Sequence, residues 1–263
     1  GPVFFRQERS GKDKKPFYIR FSKDYNLPVN IFTDEMWEYY RKLYKNFWPY
    51  EAENKAYNAI CTNFNCNIDK WLESYGKLRD KIIETLENSE EYKNFNTSDM
   101  SKYDISMPSC GERSYYTQET DGKYFISIDL KKANFQALKY VGVIKEDTYA
   151  NFIKSFGGDD YFIDSKYLRQ VIFGKLNPKR QIKVEKYLMS KVYEYISLAK
   201  VIDAELFSFN SDELVYQWCG NMPSLEMCKT LSKLQTAIKT ALGIDVRIEF
   251  VKINRLPIIN GKL

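Results

Sequence analysis

The sequence predicts an α+β fold in which an antiparallel sheet is backed by helices. Three observations in the second half of the chain lead to this prediction. Residues 123–130 (KYFISIDL) form a β-prone run that passes directly into a helix-prone stretch. Residues 204–218 (AELFSFNSDELVYQW) are two β-prone arms that meet at a polar turn, which is typical of a hairpin. A helical segment and a final β-prone run follow, and this order favours one sheet covered by helices.

The first 120 residues are predicted to be mainly helical. A short alternating run at Pro16–Ser22 favours a strand, and Thr33 followed by two acidic residues predicts the start of a helix. A long helix is predicted over Ile68–Leu86, because its apolar residues recur near helical spacing. The segment Asn88–Asp121 is rich in Ser, Asn, Asp and Tyr, so it is interpreted as a loop that joins two domains.

Several helices are predicted after residue 121. The Gly157-Gly158 pair is expected to end one of them, and Pro178 suits the first turn of another. Gly243 is expected to end the last helix. The predicted helices of this half are 131–144, Glu146–Ser155, Ser165–Gly174, Pro178–Lys200 and Ser224–Leu242, and the last strand is 244–253.

The composition excludes several kinds of chemistry. The 263 residues contain no histidine, which removes Ser-His-Asp and Cys-His catalysis and imidazole zinc sites. The 5 cysteines are scattered without a CxxC pair, so neither a disulfide framework nor a zinc site is predicted. An enzyme with this composition must therefore use carboxylates, Lys, Arg, Tyr, Cys or a hard metal ion.

Charge and hydropathy indicate where the protein works. The net charge of +5 suits a polyanionic partner only if the basic residues cluster. No segment resembles a signal peptide or a membrane span. We therefore expect an intracellular protein, cytoplasmic or in the nucleoid or nucleus, that is neither secreted nor bound to a membrane. The missing initiator Met indicates a fragment of a longer protein.

Three carboxylates stand out by their positions. Asp129 ends an apolar strand, and Asp212 and Glu213 lie at the turn of the apolar hairpin. If the two strands are neighbours, the carboxylates converge at one edge of the sheet, and their repulsion favours a hard divalent cation such as Mg²⁺. Each acid also has an ordinary alternative, because acids often cap strand ends and Asp-Glu suits a turn.

From Asp129 onward, the chain resembles the palm and fingers core of family-A DNA polymerases. The segment IDLKKANFQALKY is similar to their first palm motif, DYSxxELRxLA, and NSDELVYQ is similar to their last, HDELVFE. Between these, NFIKSFGGDD and SKYLRQVIFGKLNP resemble the stretches that lead into and form the fingers helix. KLQTAIKTALGIDVRIEF resembles the helix and strand that follow. The matching segments come in the right order and span roughly half of the chain.

The resemblance implies a role for each matching position. Asp129 and Asp212 would bind two Mg²⁺ ions, or Mn²⁺, and Glu213 would support the primer end or the metals. Arg169 would contact the triphosphate of the incoming nucleotide, a task that suits a guanidinium. Phe173 would pack near the base, although a core position on the helix explains it equally well. Two further nucleotide-binding residues are implied: Asn134 and Lys166.

Several positions depart from the family. Asn134 stands where these polymerases have a glutamate that helps to exclude the ribose 2′-hydroxyl, and Gln136 stands where phage single-subunit RNA polymerases also have Gln. Ser211 replaces the histidine of the last motif, and Asn177-Pro178 replaces a Tyr-Gly pair. The choice between DNA and RNA therefore stays open.

A basic run follows the fingers-like segment. It fits contacts with the phosphate backbone of a nucleic acid, and it also fits an ordinary solvated helix face. The residues predicted to bind nucleic acid are Lys175, Lys179, Arg180 and Lys183.

Together these observations predict a minimal template-directed DNA polymerase without a proofreading domain. Its substrates would be nucleoside triphosphates and a DNA or RNA primer-template, and additional protein subunits would be compatible with it. Residues 1–120 would be thumb-like, and residues 121–263 would form a palm with reduced fingers at about 145–200. The alternatives are a reverse transcriptase (although the LPQG segment is absent), an RNA polymerase, a degenerate palm that only binds nucleic acid or assembles with other proteins, and a helical interaction protein.

Overall fold

The structure, a computed structural model, describes residue 39 and residues 58–59, 62–64, 68–108, 110–220 and 224–254. Its helices with both ends defined are α1 Ile68–Glu87, α2 Glu90–Thr97, α3 Ala133–Tyr140, α4 Tyr149–Ser155, α5 Asp160–Asp164, α6 Lys166–Gly174, α7 Pro178–Ala199 and α8 Leu225–Leu242. Its strands are β1 Tyr124–Leu130, β2 Ala204–Phe209, β3 Glu213–Trp218 and β4 Val246–Lys252.

The chain divides into two compact units. Unit 1 comprises the described residues of Gly1–Lys93 and Lys145–Leu176, and unit 2 comprises those of Asn94–Ile144 and Asn177–Leu263. The domain boundary at residue 120 and the reduced fingers at about 145–200 remain predictions of the sequence.

Unit 2 is built on a four-stranded antiparallel sheet with the strand order β2-β3-β1-β4. A helix follows β1 and another lies between β3 and β4, which is the order of a split β-α-β, ferredoxin-like arrangement. The α+β prediction, with an antiparallel sheet backed by helices, is confirmed. The predicted hairpin and the predicted strands at 123–130 and 244–253 are present within one or two residues of their expected ends.

Helices α3, α7 and α8 cover one face of the sheet. Helix α7 packs against α3, α8 and β3, and α8 packs against β4. Side chains alternate between the two faces of a strand. On the covered face of β1, Ile126, Ile128 and Leu130 are at most 3% exposed.

The opposite face of the sheet, here called the open face, carries most of the charged side chains of the strands. Phe125 and Val215 form a small apolar cluster on it with Phe207, and Tyr115 packs on Phe125. The side chains that the strand register aligns on the open face include Phe125, Ser127, Asp129, Glu213, Val215, Gln217, Arg247, Glu249 and Val251.

Two helix ends follow the local signals of the sequence. Pro178 occupies the first turn of α7, and the side chain of Asn177 caps the helix by accepting a hydrogen bond from the backbone N–H of Arg180. Helix α8 ends at Gly243, whose φ of 69° is a left-handed conformation that favours glycine. The sequence predicted these ends from Pro178 and Gly243, whereas the cap by Asn177 was not predicted.

The expectation of a loop over Asn88–Asp121 is wrong for part of that segment. It contains the two-turn helix α2 and short 3-10 turns at Ser101–Tyr103 and Gln118–Thr120. The helix forms because Tyr92 and Phe95, three residues apart, bury their rings on one side. The polar composition of the segment concealed this pair.

Unit 1 is helical with an aromatic core. Helix α1 packs against α6, and α4 packs against α5. Trp71 and Tyr75 of α1 are buried and contact each other at 5.7 Å between ring centroids. After α4 the chain turns at the predicted Gly157-Gly158 pair, where a Cβ on Gly158 would lie 2.3 Å from Cγ2 of Ile153.

The predicted strand at Pro16–Ser22 and the predicted helix start at Thr33 lie outside the described residues, as does much of the predicted thumb-like region. Among the helices that the structure describes, none combines the length and the apolar character that a membrane crossing requires.

Candidate functional site

The structure brings the three predicted carboxylates together. In the register of β1 with β3, Asp129 lies opposite Glu213. The backbone N–H of Leu130 donates a hydrogen bond to the carbonyl of Asp212 at 2.8 Å, which ties the hairpin turn to the end of β1. The two strands are therefore neighbours, as the convergence argument required.

Two carboxyl groups at this end of the sheet, those of Asp212 and Glu213, have a raised pKa. Burial raises the pKa of Asp212, and the charge of Asp129 raises it further. Burial also raises the pKa of Glu213, with Asp129, Asp212 and Glu249 adding to the effect. The hydroxyl of Ser127 opposes it by donating a hydrogen bond to Glu213 Oε2 at 2.7 Å. Negative charge is thus concentrated here beyond what the protein neutralises.

Arg247 is a member of this cluster that the sequence did not reveal. It faces Asp129 across the β1–β4 register, and its Nη2 lies 3.1 Å from Asp129 Oδ2. Its Nε also lies 3.6 Å from Glu249 Oε1 on the same strand. The side chain of Arg247 is 57% exposed and that of Asp129 is 30% exposed. This ion pair is therefore accessible to solvent and weak.

Glu185 is a further carboxyl group that the sequence did not single out. It lies in the middle of α7, is 8% exposed, and has no hydrogen bond or ion pair among the described residues. Burial, with a contribution from the charge of Asp212, raises its pKa from 4.5 to about 7. The helical spacing of Gln181, Val184 and Leu188 around it contained the signal, because it places Glu185 on the buried side of α7.

The donors at this end of the sheet fit a hard cation by their chemistry. Asp129 and Asp212 offer carboxylate oxygens, and Mg²⁺ is commonly held by one or two carboxylates together with substrate phosphates and water. Among the described residues, no group of three or more His, Cys, Asp or Glu side chains is arranged to hold a metal ion. A cation at Asp129 and Asp212 would therefore take its remaining ligands from substrate and water.

The two residues implicated in sugar selection lie at the start of α3. Asn134 is half-buried, and its Oδ1 accepts a hydrogen bond from the backbone N–H of Phe135 at 3.1 Å. Gln136 donates to the carbonyls of Lys131 and Asp245, and it accepts from the backbone N–H of Asp245 at 3.0 Å. Gln136 thus joins α3 to the segment before β4, which explains its presence without a nucleotide.

The remaining predicted nucleotide-binding residues lie in unit 1, on α6. Phe173 is 1% exposed and packs against Tyr149 and Phe152, which corresponds to the core position that the sequence also allowed. The guanidinium of Arg169 lies 5.8 Å from the centre of the Tyr149 ring, and burial lowers its pKa. Lys166 is exposed in the first turn of α6.

The basic run is partly engaged within the protein. Nη1 of Arg180 donates to the carbonyls of Phe95 and Ser98 at 2.9 and 2.8 Å, which fixes the end of α2 against the start of α7. Nζ of Lys183 lies 2.6 Å from Oδ1 of Asp104. The other two members, Lys175 in unit 1 and Lys179 in unit 2, have exposed side chains.

Comparison of this chain with models of known protein families, with curated proteins and with solved structures found no match.

Proposed function

We propose that this chain is a nucleotidyltransferase that extends a nucleic-acid primer along a template, most simply a minimal DNA polymerase. The observation that carries the proposal is the pairing of β1 with β3, which sets Asp129 beside Glu213 and Asp212 at one end of two adjacent strands. Burial and neighbouring charges raise the pKa of the half-buried Asp212 and Glu213, which favours a site for a hard cation.

In this proposal Asp129 and Asp212 hold Mg²⁺, or Mn²⁺, through their carboxylate oxygens. The bound ions supply the activation of the primer 3′-hydroxyl and the stabilisation of the leaving pyrophosphate. Glu213, oriented by the hydroxyl of Ser127, lies on the open face beside Asp129, where it supports the primer end.

The proposed substrates are nucleoside triphosphates and a DNA or RNA primer-template. Such substrates imply an intracellular location, and additional protein subunits are compatible with the proposal. Arg169 and Lys166 stay the proposed contacts of the triphosphate. Of the basic run, the exposed Lys175 and Lys179 are the better proposed contacts for the phosphate backbone, because Arg180 and Lys183 already bind groups of the protein.

A reverse transcriptase and an RNA polymerase would use the same carboxylates, and they differ from a DNA polymerase in the nucleic acids that they accept. Gln136 does not favour RNA synthesis, because its side chain already forms hydrogen bonds with backbone groups around α3 and β4. The half-buried Asn134 is the position to test for sugar preference.

A second candidate function is a nucleic-acid-binding or assembly module without catalysis. The observation that favours it is the ion pair of Arg247 with Asp129, because a guanidinium then occupies one side of a proposed metal ligand. The lack of a group of three or more metal-binding side chains among the described residues points in the same direction.

Primer extension separates these functions. The chain is incubated with Mg²⁺ and labelled nucleotides on primed DNA and RNA templates, with deoxynucleotides and ribonucleotides tested separately. We expect extension that falls about 1000-fold or more in Asp129→Asn and Asp212→Asn, since metal ligands contribute several kcal/mol to the barrier. Asp203→Asn, which changes an exposed acid of the same unit, is the matched control and should keep full activity.

The outcomes distinguish the alternatives. The combination of template and nucleotide that is extended identifies a DNA polymerase, a reverse transcriptase or an RNA polymerase. Binding of primed nucleic acid without extension supports the binding module. An absence of both binding and extension contradicts all of the nucleic-acid functions and leaves a protein-interaction role.

A further inference from the structure

Three aromatic rings form a column from the core of unit 2 to its surface. Phe125 of β1 is fully buried, and the ring of Tyr115 packs on it at 5.5 Å between centroids. The ring of Tyr116 then stacks on Tyr115 at 4.5 Å with an interplanar angle of 30°. The column therefore runs outward from the apolar cluster of the open face.

The outermost ring contributes little to the core. Tyr116 is 72% exposed, whereas Tyr115 is half-buried and already covers Phe125. The ring of Tyr116 is nevertheless supported by neighbouring groups, since it stacks on Tyr115 and its hydroxyl lies 3.5 Å from that of Tyr115, while its backbone N–H donates to Ser114 Oγ at 3.2 Å. An exposed ring held in this way is already ordered for a second flat ring to stack on it.

The column ends beside the candidate site. The charges of Glu213 and Glu249 act on the hydroxyl of Tyr115, so the column lies within electrostatic reach of the carboxylates on the open face. A cationic side chain from the same segment is also present. The guanidinium of Arg113 lies 4.2 Å from the centre of the Phe207 ring. The backbone N–H of Arg113 donates to Ser208 Oγ at 2.9 Å.

We propose that Tyr116 stacks with a nucleobase of a single nucleic-acid strand that crosses the open face, and that Arg113 contacts a phosphate of the same strand. Aromatic rings accept any base by stacking, while a guanidinium binds the backbone between bases. This inference rests on the proposed function for its choice of ligand, and it adds a binding surface that the carboxylates do not provide.

The strand is bound by a surface of mixed charge, which determines how it lies. Phosphates are repelled by Asp129 and Glu213 and attracted by Arg113, so the base at Tyr116 must approach with its phosphate on the Arg113 side. We therefore expect stacking to supply most of the affinity at this surface, with only a weak contribution from salt-sensitive phosphate contacts.

The test measures binding of a short single strand that carries 2-aminopurine, in EDTA so that no extension takes place. Stacking on Tyr116 quenches the fluorescence of the analogue. We expect Tyr116→Ala to bind about 5- to 150-fold more weakly, which is the range for loss of one stacked base. Tyr116→Phe should bind nearly as the unchanged protein does. Tyr116→Leu keeps apolar bulk without an aromatic face, so it repeats the test should the alanine variant fold poorly.

Salt dependence separates the two proposed contacts. The alanine variant should lose affinity equally at all salt concentrations, whereas Arg113→Gln should lower the slope of log affinity against log salt by about 0.7, the value for one phosphate of a single strand. The control is Tyr140→Ala, which removes an exposed tyrosine of the same unit that contacts Tyr103 and Tyr187 instead of the open face.

Each outcome decides the inference. Unchanged affinity and quenching in Tyr116→Ala, or an equal loss in Tyr140→Ala, overturns it even when primer extension succeeds. A specific loss in Tyr116→Ala together with a failure of primer extension supports it and leaves a binding module. If the unchanged protein binds no single strand, the inference fails, and primer extension alone then decides the proposed function.

Discussion

Replacing Glu185 with glutamine should stabilise the protein at high pH and leave its stability nearly unchanged at low pH. The carboxyl group is 8% exposed, and burial together with Asp212 raises its pKa. Glutamine has nearly the shape of the protonated glutamate but cannot ionise. The variant therefore removes only the free-energy cost of a buried negative charge.

The size of the effect follows from the two pKa values of Glu185. An ordinary glutamate has a pKa of 4.5, and in the folded protein the value is about 7. A difference of this size corresponds to about 3 kcal/mol. Below 4.5 the carboxyl is protonated in both the folded and the unfolded chain, and ionisation costs nothing. As the pH rises from 4.5 through about 7, the unfolded chain loses its proton first, so stability falls until both forms are ionised.

Urea unfolding followed by tryptophan fluorescence measures this difference. In EDTA, where no cation can offset the charge, the free energy of unfolding of Glu185→Gln should exceed that of the unchanged protein by up to about 3 kcal/mol at high pH. Below pH 4.5 the two proteins should agree. The matched control is Glu194→Gln, which changes an exposed acid of the same helix and should follow the unchanged protein at every pH.

Two results would refute this reasoning. A stability difference that does not vary with pH would mean that Glu185 acts through packing alone. A glutamine variant that is less stable at high pH would mean that the ionised carboxyl has a favourable partner. A buried negative charge stabilises the folded protein only when a partner group compensates it.

Three further predictions concern the framework around the site. Arg180→Gln should lower the free energy of unfolding by about 2 kcal/mol through the loss of two hydrogen bonds from a charged donor, with little change in nucleic-acid affinity. Gly158→Ala should cost about 1–3 kcal/mol in urea unfolding, because its new methyl group overlaps Ile153. Gly174→Ala is the matched control and should be neutral or slightly stabilising, because its added Cβ would meet no atom of the described residues within 4 Å beyond its chain neighbours and its own helix. Gln136→Leu should cost about 1–3 kcal/mol without altering the preference between deoxynucleotides and ribonucleotides in primer extension.

Much of the fold of unit 2 could be predicted because its signals are local. The alternation in β1, the polar turn of the hairpin, Pro178 at the start of α7 and Gly243 after α8 each act within a few residues. Such signals depend on the backbone conformation that a residue favours and on the spacing of apolar residues, and both can be recognised within a single segment. The predicted convergence of the carboxylates depended on the condition that β1 and β3 are neighbours in the sheet, and the structure meets this condition.

The parts of the site that could not be predicted depend on contacts between distant segments. Arg247 meets Asp129 only because β4 pairs with β1, across 118 positions of sequence. Arg180 was predicted to bind nucleic acid because it lies in a basic run. Its guanidinium instead donates hydrogen bonds to the carbonyls of Phe95 and Ser98, which lie more than 80 positions earlier in the sequence. Glu185 was hidden for the opposite reason, since an acid among lysines reads as a solvated helix face.

The charge of the cluster explains why the proposed function depends on a cation. When all are ionised, Asp129, Asp212, Glu213 and Glu249 bring four negative charges and Arg247 brings one positive charge, which leaves three negative charges uncompensated in this part of the sheet. The approach of a triphosphate to such a surface is unfavourable without a counter-charge. Arg247 is exposed and its pair with Asp129 is weak, so a divalent cation held by Asp129 would compete with the guanidinium, which would then be available to a phosphate. If Mg²⁺ neither binds nor changes stability at this cluster, the polymerase proposal loses its physical basis, and a binding module that keeps the Arg247–Asp129 pair is the function that this arrangement supports.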